Sequence, residues 1–274
     1  AYHPKYSVIT NIEPEHLECY KDIDDIRNTF EKFANQTKDL VVACGDNEEI
    51  RKIGYKTNRI FYGFNSNNDV VIDNVNLNEF GSSFDMIIEK KLYGTFKIPL
   101  YGKHMILDAV AAIVICKNLG ISKETIEKSL QTFKNAKRRF AEEKIKDTTI
   151  IDDYAHHPTE IKVTLEAIKQ KYPDKKLVVV FKPNTYSRTK DFTQEFINSL
   201  SIADKVFMTE IDSNRERQED YPGVNSNMII NNIKNGEIID DESISKLIPY
   251  KNDVICFMSC ASVSHLIEEL KKII

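Results

Sequence analysis

The chain has 274 residues, 41% of them hydrophobic and 29% charged, with a formal net charge of −4. This length fits two domains of about 100–200 residues each, and the composition is ordinary for a soluble globular protein. With Lys and Arg spread along the chain, apart from a short "KRRF", the charge excludes a general basic face for nucleic acid. In chain order, "YSVITNI" reads as a buried strand. "DIDDIRNTFEKFANQ" carries apolar residues at helical spacing, with Asp22 as N-cap. "DLVVACG" and "RIFYGF" are further short buried strands. Over residues 69–100, "VVIDNVNL", "SFDMIIEK" and "YGTFKIPL" alternate between turn residues, the mark of antiparallel strands. Lys103 to Leu119, "KHMILDAVAAIVICKNL", is a helix closed by Gly120. "SKETIEKSLQTF" follows, with Ser122 as N-cap and a glutamate at the capping-box position.

Apolar patterning pauses at the charged "KNAKRRFAEEKIKD", and the domain boundary is placed there, dividing 1–138 from 139–274. Beyond it, strands "TTIIDDY", "KLVVVFK", "KVFMTEI" and "DVICFMS" alternate with helices near 158–171, 189–200, 225–234 and 261–273. Apolar strands interleaved with helices imply a parallel sheet covered on both faces, in an α/β fold. Ligands of such sheets bind beyond the carboxyl ends of the strands, and three polar loops fall there: "DDYAHHP", "PNTYSRT" and "DSNRERQEDYPG".

Cys19, Cys44, Cys116, Cys256 and Cys260 form no CxxC pair, which implies a reducing, cytoplasmic setting. No run approaches the roughly 18 apolar residues of a membrane span, and no signal peptide is visible. The start at Ala1, a few residues from a strand, reads as a cut.

The loops carry the chemistry. Asp152 and Asp153 end an apolar strand, and alternation turns one of them toward a cleft. His156 and His157 are adjacent, so their side chains diverge, and they make a poor metal pair. A single histidine there could orient a substrate or shuttle a proton. Pro158 opens the next helix, whose backbone N–H groups would favour an anion. Arg188 is either a solvated cation or a fork for a carboxylate or phosphate. Arg139 in "KRRF" is either part of a solvated segment or a phosphate ligand. "TNIEPEH" brings two glutamates and His16 together after a strand, either as a plain turn or as Mg²⁺ ligation near phosphates. With no GxxxxGK[ST] and no GxGxxG, the 274 residues offer no Gly-rich cradle for a triphosphate. The chain by itself is therefore expected to release no phosphate from ATP above a no-protein control.

Taken together, these segments resemble the Mur ligases over essentially the whole chain. "SVITNIEPEHLECY" resembles that family's "TNIExDHxDxY", "YGKHMILDAVAA" its "GxHNxxNAxAA", and "FKNAKRRF" its "FxGVKRRF". "DDYAHHPTEI" and "FKPNTYSRTKDF" resemble "DDYGHHPTEI" and "FQPHTYSRTKDL". The departures are Met105 and Asp108 where Asn is usual, Asn135 where Gly is usual, Lys182 and Asn184 where Gln and His are usual, and "FMSCAS" where "GAGD" is common. The resemblance implies the latter part of a central ATP-binding domain, a mixed sheet with helices, followed by a Rossmann-like, mostly parallel domain that brings the amino acid. It implies a family member that uses ATP and Mg²⁺ to join L-alanine to UDP-N-acetylmuramate through an acyl phosphate, in peptidoglycan synthesis. It places His16 at Mg²⁺, His104 and Asp108 beside adenine, Arg139 near the phosphates and Asp153 near the ATP ribose. His156 and Arg188 would hold L-alanine and the acyl-phosphate end. The alternatives are a relative that recycles murein tripeptide and a non-catalytic binding module.

Overall fold

The computed structural model describes residues 2–17 and 19–274; Ala1, where the sequence starts, and Glu18, inside the first loop motif, lie outside them. The chain divides into two compact units, Ala1–Phe133 and Lys134–Ile274.

Unit 1 is built on one sheet in the order β1 (Tyr6–Ile9), β2 (Leu40–Cys44), β3 (Arg59–Gly63), β4 (Val70–Asn78), β5 (Gly81–Ile88) and β6 (Lys91–Ile98). The first four strands run parallel, and β4, β5 and β6 are antiparallel. β2 is buried at every position, as the run "LVVAC" requires. Helix α1 (Ile23–Gln36) begins at Asp22, whose side chain accepts from the Asp25 N–H at 2.9 Å. The short α2 (Glu48–Arg51) was not legible in the sequence.

Helix α3 (Lys103–Asn118) packs Ile106, Val110, Ile113 and Val114 into the core. It ends in a Schellman arrangement. Gly120 takes φ +78°, the Ile121 N–H reaches Cys116 O at 3.0 Å, and the Gly120 N–H reaches Lys117 O at 3.0 Å. Helix α4 (Lys123–Gln131) is capped by Ser122, but the capping-box expectation is corrected: its third position is Thr125, and Glu124 stands one residue early.

Unit 2 holds a second sheet, in the order β11 (Gly236–Ile238), β10 (Lys205–Met208), β9 (Leu177–Phe181), β12 (Val254–Met258), β8 (Thr148–Asp153) and β7 (Ala141–Ile145). All neighbours are parallel except β7. Within the charged "KNAKRRFAEEKIKD", where patterning pauses and no strand was expected, Ala141–Ile145 form the edge strand β7. Charge on an edge keeps other chains from adding to it, which is why composition hides the strand.

Successive residues of each strand face opposite layers. Val179, Phe181, Cys256 and Met258 meet α5 (Pro158–Lys171), α7 (Thr193–Leu200) and α8 (Asn227–Ile230). Val178, Val180, Ile255 and Phe257 meet a 3-10 stretch, Ile244–Tyr250, and α9 (Ser264–Ile273). The helix expected at 189–200 is two helices, α6 (Tyr186–Asp191) and α7, broken at Phe192, whose ring packs edge-on against His157 at 5.1 Å. No helix among the described residues is long and apolar enough to cross a membrane.

Candidate active site

Each unit gathers its candidate site residues at the carboxyl edge of its sheet.

In unit 1, the loop after β1 carries Asn11, Glu13, Glu15 and His16. His16 is exposed, with φ 55°, and its carbonyl accepts from the Cys19 and Tyr20 N–H groups at 2.8 and 3.0 Å. Among the described residues, no three His, Cys, Asp or Glu side chains converge as a metal cluster. The loops after β2 and β3 are tied together by Asp46, which accepts from Phe64 N (2.6 Å), Asn65 N (3.0 Å) and Asn68 Nδ2 (2.9 Å). Gly63 permits this approach: at its φ of +151°, a Cβ would stand 2.4 Å from Asp46 Oδ1.

The first turns of α3 lie at this same edge, since Lys103 Nζ sits 5.8 Å from the Phe64 ring. His104 and Asp108 follow one helical turn apart and so share a face. His104 Nδ1 and the Tyr62 hydroxyl are both buried without a hydrogen-bond partner. Burial lowers the His104 pKa to about 4, so the ring is neutral near pH 7. Burial also raises Tyr62, helped by the nearby carboxylates of Asp108 and Asp46. Asp108 meets solvent on one side, yet protein crowding on the others raises its carboxyl pKa. An uncharged imidazole and phenol with unspent hydrogen-bonding capacity suit a neutral heterocycle better than a phosphate. Tyr62 was read from sequence only as part of an apolar strand; its place as the last residue but one of β3, just before glycine, was the available signal.

One prediction follows for Asp108. Ionised Asp can only accept from a base that offers both a donor and an acceptor, whereas Asn can serve both. Asp108→Asn in the full-length protein is expected to leave the KM for ATP unchanged or lower. A tenfold rise, about 1.4 kcal/mol, would reveal an unforeseen contact of the carboxylate.

In unit 2, β12 is inserted between β8 and β9, so the "FMSCAS" loop lies between the loops of His156 and Arg188. Chain leaving β9 passes to the α7 layer and chain leaving β12 to the α9 layer. This divergence of neighbours opens the crevice where α/β sheets bind ligands.

Asp153 is buried and its pKa is raised by that burial. Its oxygens accept from Phe140 N at 2.6 Å and Ala155 N at 2.9 Å, which fixes the corner carrying Tyr154 and His156. His156 Nδ1 lies 3.0 Å from Tyr154 O and 3.1 Å from Glu160 Oε2. Both neighbours accept, so Nδ1 carries a proton and Nε2 is the ring atom turned away from them. The Glu160 carboxylate also takes the N–H groups of His156 (3.0 Å) and His157 (3.2 Å), and His157 Nδ1 caps Thr159 N at 3.3 Å. The helix start expected to favour an anion is thus filled by the chain's own carboxylate.

Arg139 approaches Glu160 at 3.7 Å and the Tyr154 ring at 5.0 Å. Its neighbour Arg138 does more of the local binding. It donates to Asp152 Oδ1 (3.3 Å), Ser259 O (2.7 Å) and Ala261 O (2.8 Å), joining the ends of β8 and β12. Sequence reasoning missed Arg138, Tyr154 and Glu160, since nothing local marks which of two adjacent arginines turns inward.

Arg188, in the first turn of α6, donates through Nη1 to Asn184 O. A cleft of about 730 Å³ is lined by Lys182 and by Glu210, Asp212, Asp240, Asp241 and Glu242, an excess of acids unsuited to phosphate.

Comparison with known proteins fits this arrangement. The profile of the Mur ligase middle domain matches residues 1–116, and that of the Mur ligase glutamate ligase domain matches residues 138–260. The UDP-N-acetylmuramate–L-alanine ligase of Ligilactobacillus salivarius is 39% identical over 273 residues, covering 98% of this chain and 61% of that protein. The chain therefore spans about 61% of the length of this curated relative. A UDP-N-acetylmuramate–alanine ligase of Thermotoga maritima superposes with a TM-score of 0.79 at 24% identity, over 99% of this chain and 60% of that one. A MurF ligase of Thermotoga maritima, solved with ADP, superposes at 0.75 with 22% identity, over 98% of this chain and 62% of that one. These two likenesses establish the fold.

Proposed function

The chain belongs to the Mur ligase family, and from that premise we propose that its protein is an ATP-dependent, cytoplasmic ligase joining L-alanine to UDP-N-acetylmuramate. The observation that carries this reading is the 39% identity to such a ligase over 98% of the chain. The geometry supports a division of labour. Unit 1 offers the nucleobase a neutral surface of His104 and Tyr62 with Asp108 at its edge. Unit 2 offers the amino acid a guanidinium, Arg188, and an imidazole nitrogen, His156 Nε2. Arg139 would meet the nucleotide phosphates, and Asp153 would serve the ribose side by holding the corner at Phe140 and Ala155.

The γ-phosphoryl group of ATP passes to the lactyl carboxylate, giving an acyl phosphate and ADP. The amine of L-alanine attacks the acyl carbon, phosphate leaves and the amide forms. The chain's share is positioning and charge neutralisation. Arg188 holds the carboxylate of L-alanine so that its amine points at the acyl carbon, and His156 Nε2 accepts a hydrogen bond from that amine. Mg²⁺ bound to phosphates takes only one or two protein groups, and the loop after β1 offers the donors it accepts: the carboxylates of Glu13 and Glu15 with His16 beside them. When bound, the ion would neutralise phosphate charge.

The test uses the full-length protein with ATP, Mg²⁺ and UDP-N-acetylmuramate, offered either L-alanine or murein tripeptide. Mass spectrometry should find the alanyl product with equimolar ADP and phosphate. Amide formation with tripeptide alone would replace this reading with that of the recycling ligase, and no amide with either would leave a non-catalytic module.

A further inference from the structure

The loop after β10 was one of the three polar loops in the sequence, and the reaction above gives it no part. In the structure it straps the turn that bears Arg188. Glu216 Oε2 accepts from the Ser187 backbone N–H at 3.0 Å, and Oε1 accepts from the Ser187 hydroxyl. That hydroxyl also lies 3.0 Å from Thr185 Oγ1. Nearer the strand, the Asp212 N–H donates to Pro183 O at 2.8 Å, and Asn184 Nδ2 donates to Asp212 Oδ1 at 3.3 Å. At the far end Tyr221 stacks on Tyr186, with ring centroids 6.0 Å apart and planes at 21°. Arg217 and Asp220 pair within the loop at 3.0 and 3.1 Å, which stiffens it.

A carboxylate that takes two hydrogen bonds from one residue fixes both the place and the orientation of that residue, and such charge-assisted bonds are roughly twice as strong as neutral ones. Ser187 precedes Arg188 directly, and Arg188 Nη1 is held by Asn184 O in the same turn. The clasp therefore sets the point from which the guanidinium projects.

We infer that Glu216 is a positioning residue for the amino-acid clamp: by holding Ser187 with both oxygens, it preorganises Arg188 for a carboxylate. This rests on the reading of Arg188 given above. Glu216 touches no substrate in this account and acts only through the turn.

The experiment compares Glu216→Ala, Glu216→Gln, Arg188→Ala and the double variant in the full-length protein. Glu216→Ala should raise the KM for L-alanine about tenfold with the KM for ATP unchanged. Glu216→Gln should recover most of this, because its amide oxygen can accept from the Ser187 N–H and its NH₂ can donate to the hydroxyl. In the Arg188→Ala background, Glu216→Ala should add less than about twofold, since the residue it positions is gone. Equal effects in both backgrounds would overturn the inference. Hydrogen exchange gives a second readout that needs no substrate. Amides of residues 184–192 should exchange about tenfold faster in Glu216→Ala while those of β9 and α7 are unchanged, and unaltered exchange there would also overturn it. If Arg188→Ala leaves the KM for L-alanine untouched, the clamp reading itself fails. Exchange over 184–192 still reports separately whether Glu216 holds the turn.

Discussion

Arg188→Lys in the full-length protein is expected to cost about 1–2 kcal/mol in kcat/KM for L-alanine, and Arg188→Ala about 3 kcal/mol or more. A planar guanidinium holds a carboxylate with two parallel hydrogen bonds, which an ammonium cannot reproduce. Lysine keeps the charge and loses the fork; alanine loses both. The surroundings favour this use of the side chain. Arg188 stands in the turn that follows β9, the strand beside β12, with one arm steadied by the Asn184 carbonyl. Its positive charge is felt at Cys260 in the loop after β12, where burial nonetheless dominates and raises the thiol pKa. The check is steady-state kinetics with each substrate varied in turn, together with a thermal melt of each variant. The KM for ATP should move little, because the surface proposed for the nucleobase lies in unit 1. Wild-type behaviour of Arg188→Lys toward L-alanine, or an equal loss toward ATP, would place Arg188 on phosphate or in a structural role.

How far the sequence revealed this arrangement depended on how local each signal was. Asp22, Ser122 and Gly120 declared helix ends because their chemistry acts within three or four residues. Apolar runs such as "LVVVF" declared buried strands for the same reason. Sheet order is not local: nothing in "DVICFMS" says that β12 inserts between β8 and β9, yet that insertion creates the crevice and puts the "FMSCAS" loop in its middle. β7 was hidden by the charges that protect it as an edge. Glu160 and Glu216 were ordinary acids in the sequence, and only the fold reveals that each closes a loop carrying a candidate site residue. The motif loops themselves were legible because three polar loops fall at the carboxyl edge of one parallel sheet, where such folds bind ligands. What each does inside its loop was not, since Asp153 and Arg138 spend their hydrogen bonds on partners distant in sequence.

His104 offers a test of unit 1 that needs no turnover. Its pKa in the folded protein is lowered by burial from 6.5 to about 4. Between those values the unfolded chain takes up a proton that the folded chain refuses. Stability contributed by the neutral ring is therefore present above about pH 6.5 and is lost as the pH falls toward 4. The full loss is up to roughly 3 kcal/mol, lessened by whatever solvent reaches the exposed part of the ring. The other titratable groups at this edge do not mimic the effect. Asp108 has a raised carboxyl pKa, so its ionisation penalises the fold as the pH rises, and its protonation on acidification relieves that penalty. Cys44 and Tyr62, both raised, stay protonated throughout. His104→Asn removes the titrating ring and leaves a neutral side chain. Any cavity it creates costs the same at every pH. Exchange of the α3 amides, measured for both proteins at pH 7, 5.5 and 4, cancels the intrinsic pH dependence of exchange. The stability advantage of wild type over His104→Asn should shrink steadily across that series, reversing in sign at the acid end where the packing loss is smaller than the protonation term. An advantage that stays constant from pH 7 to 4 would mean that the imidazole takes up its proton at the ordinary pH. The surface beside Tyr62 would then be wet enough to carry charge and would no longer suit a neutral base.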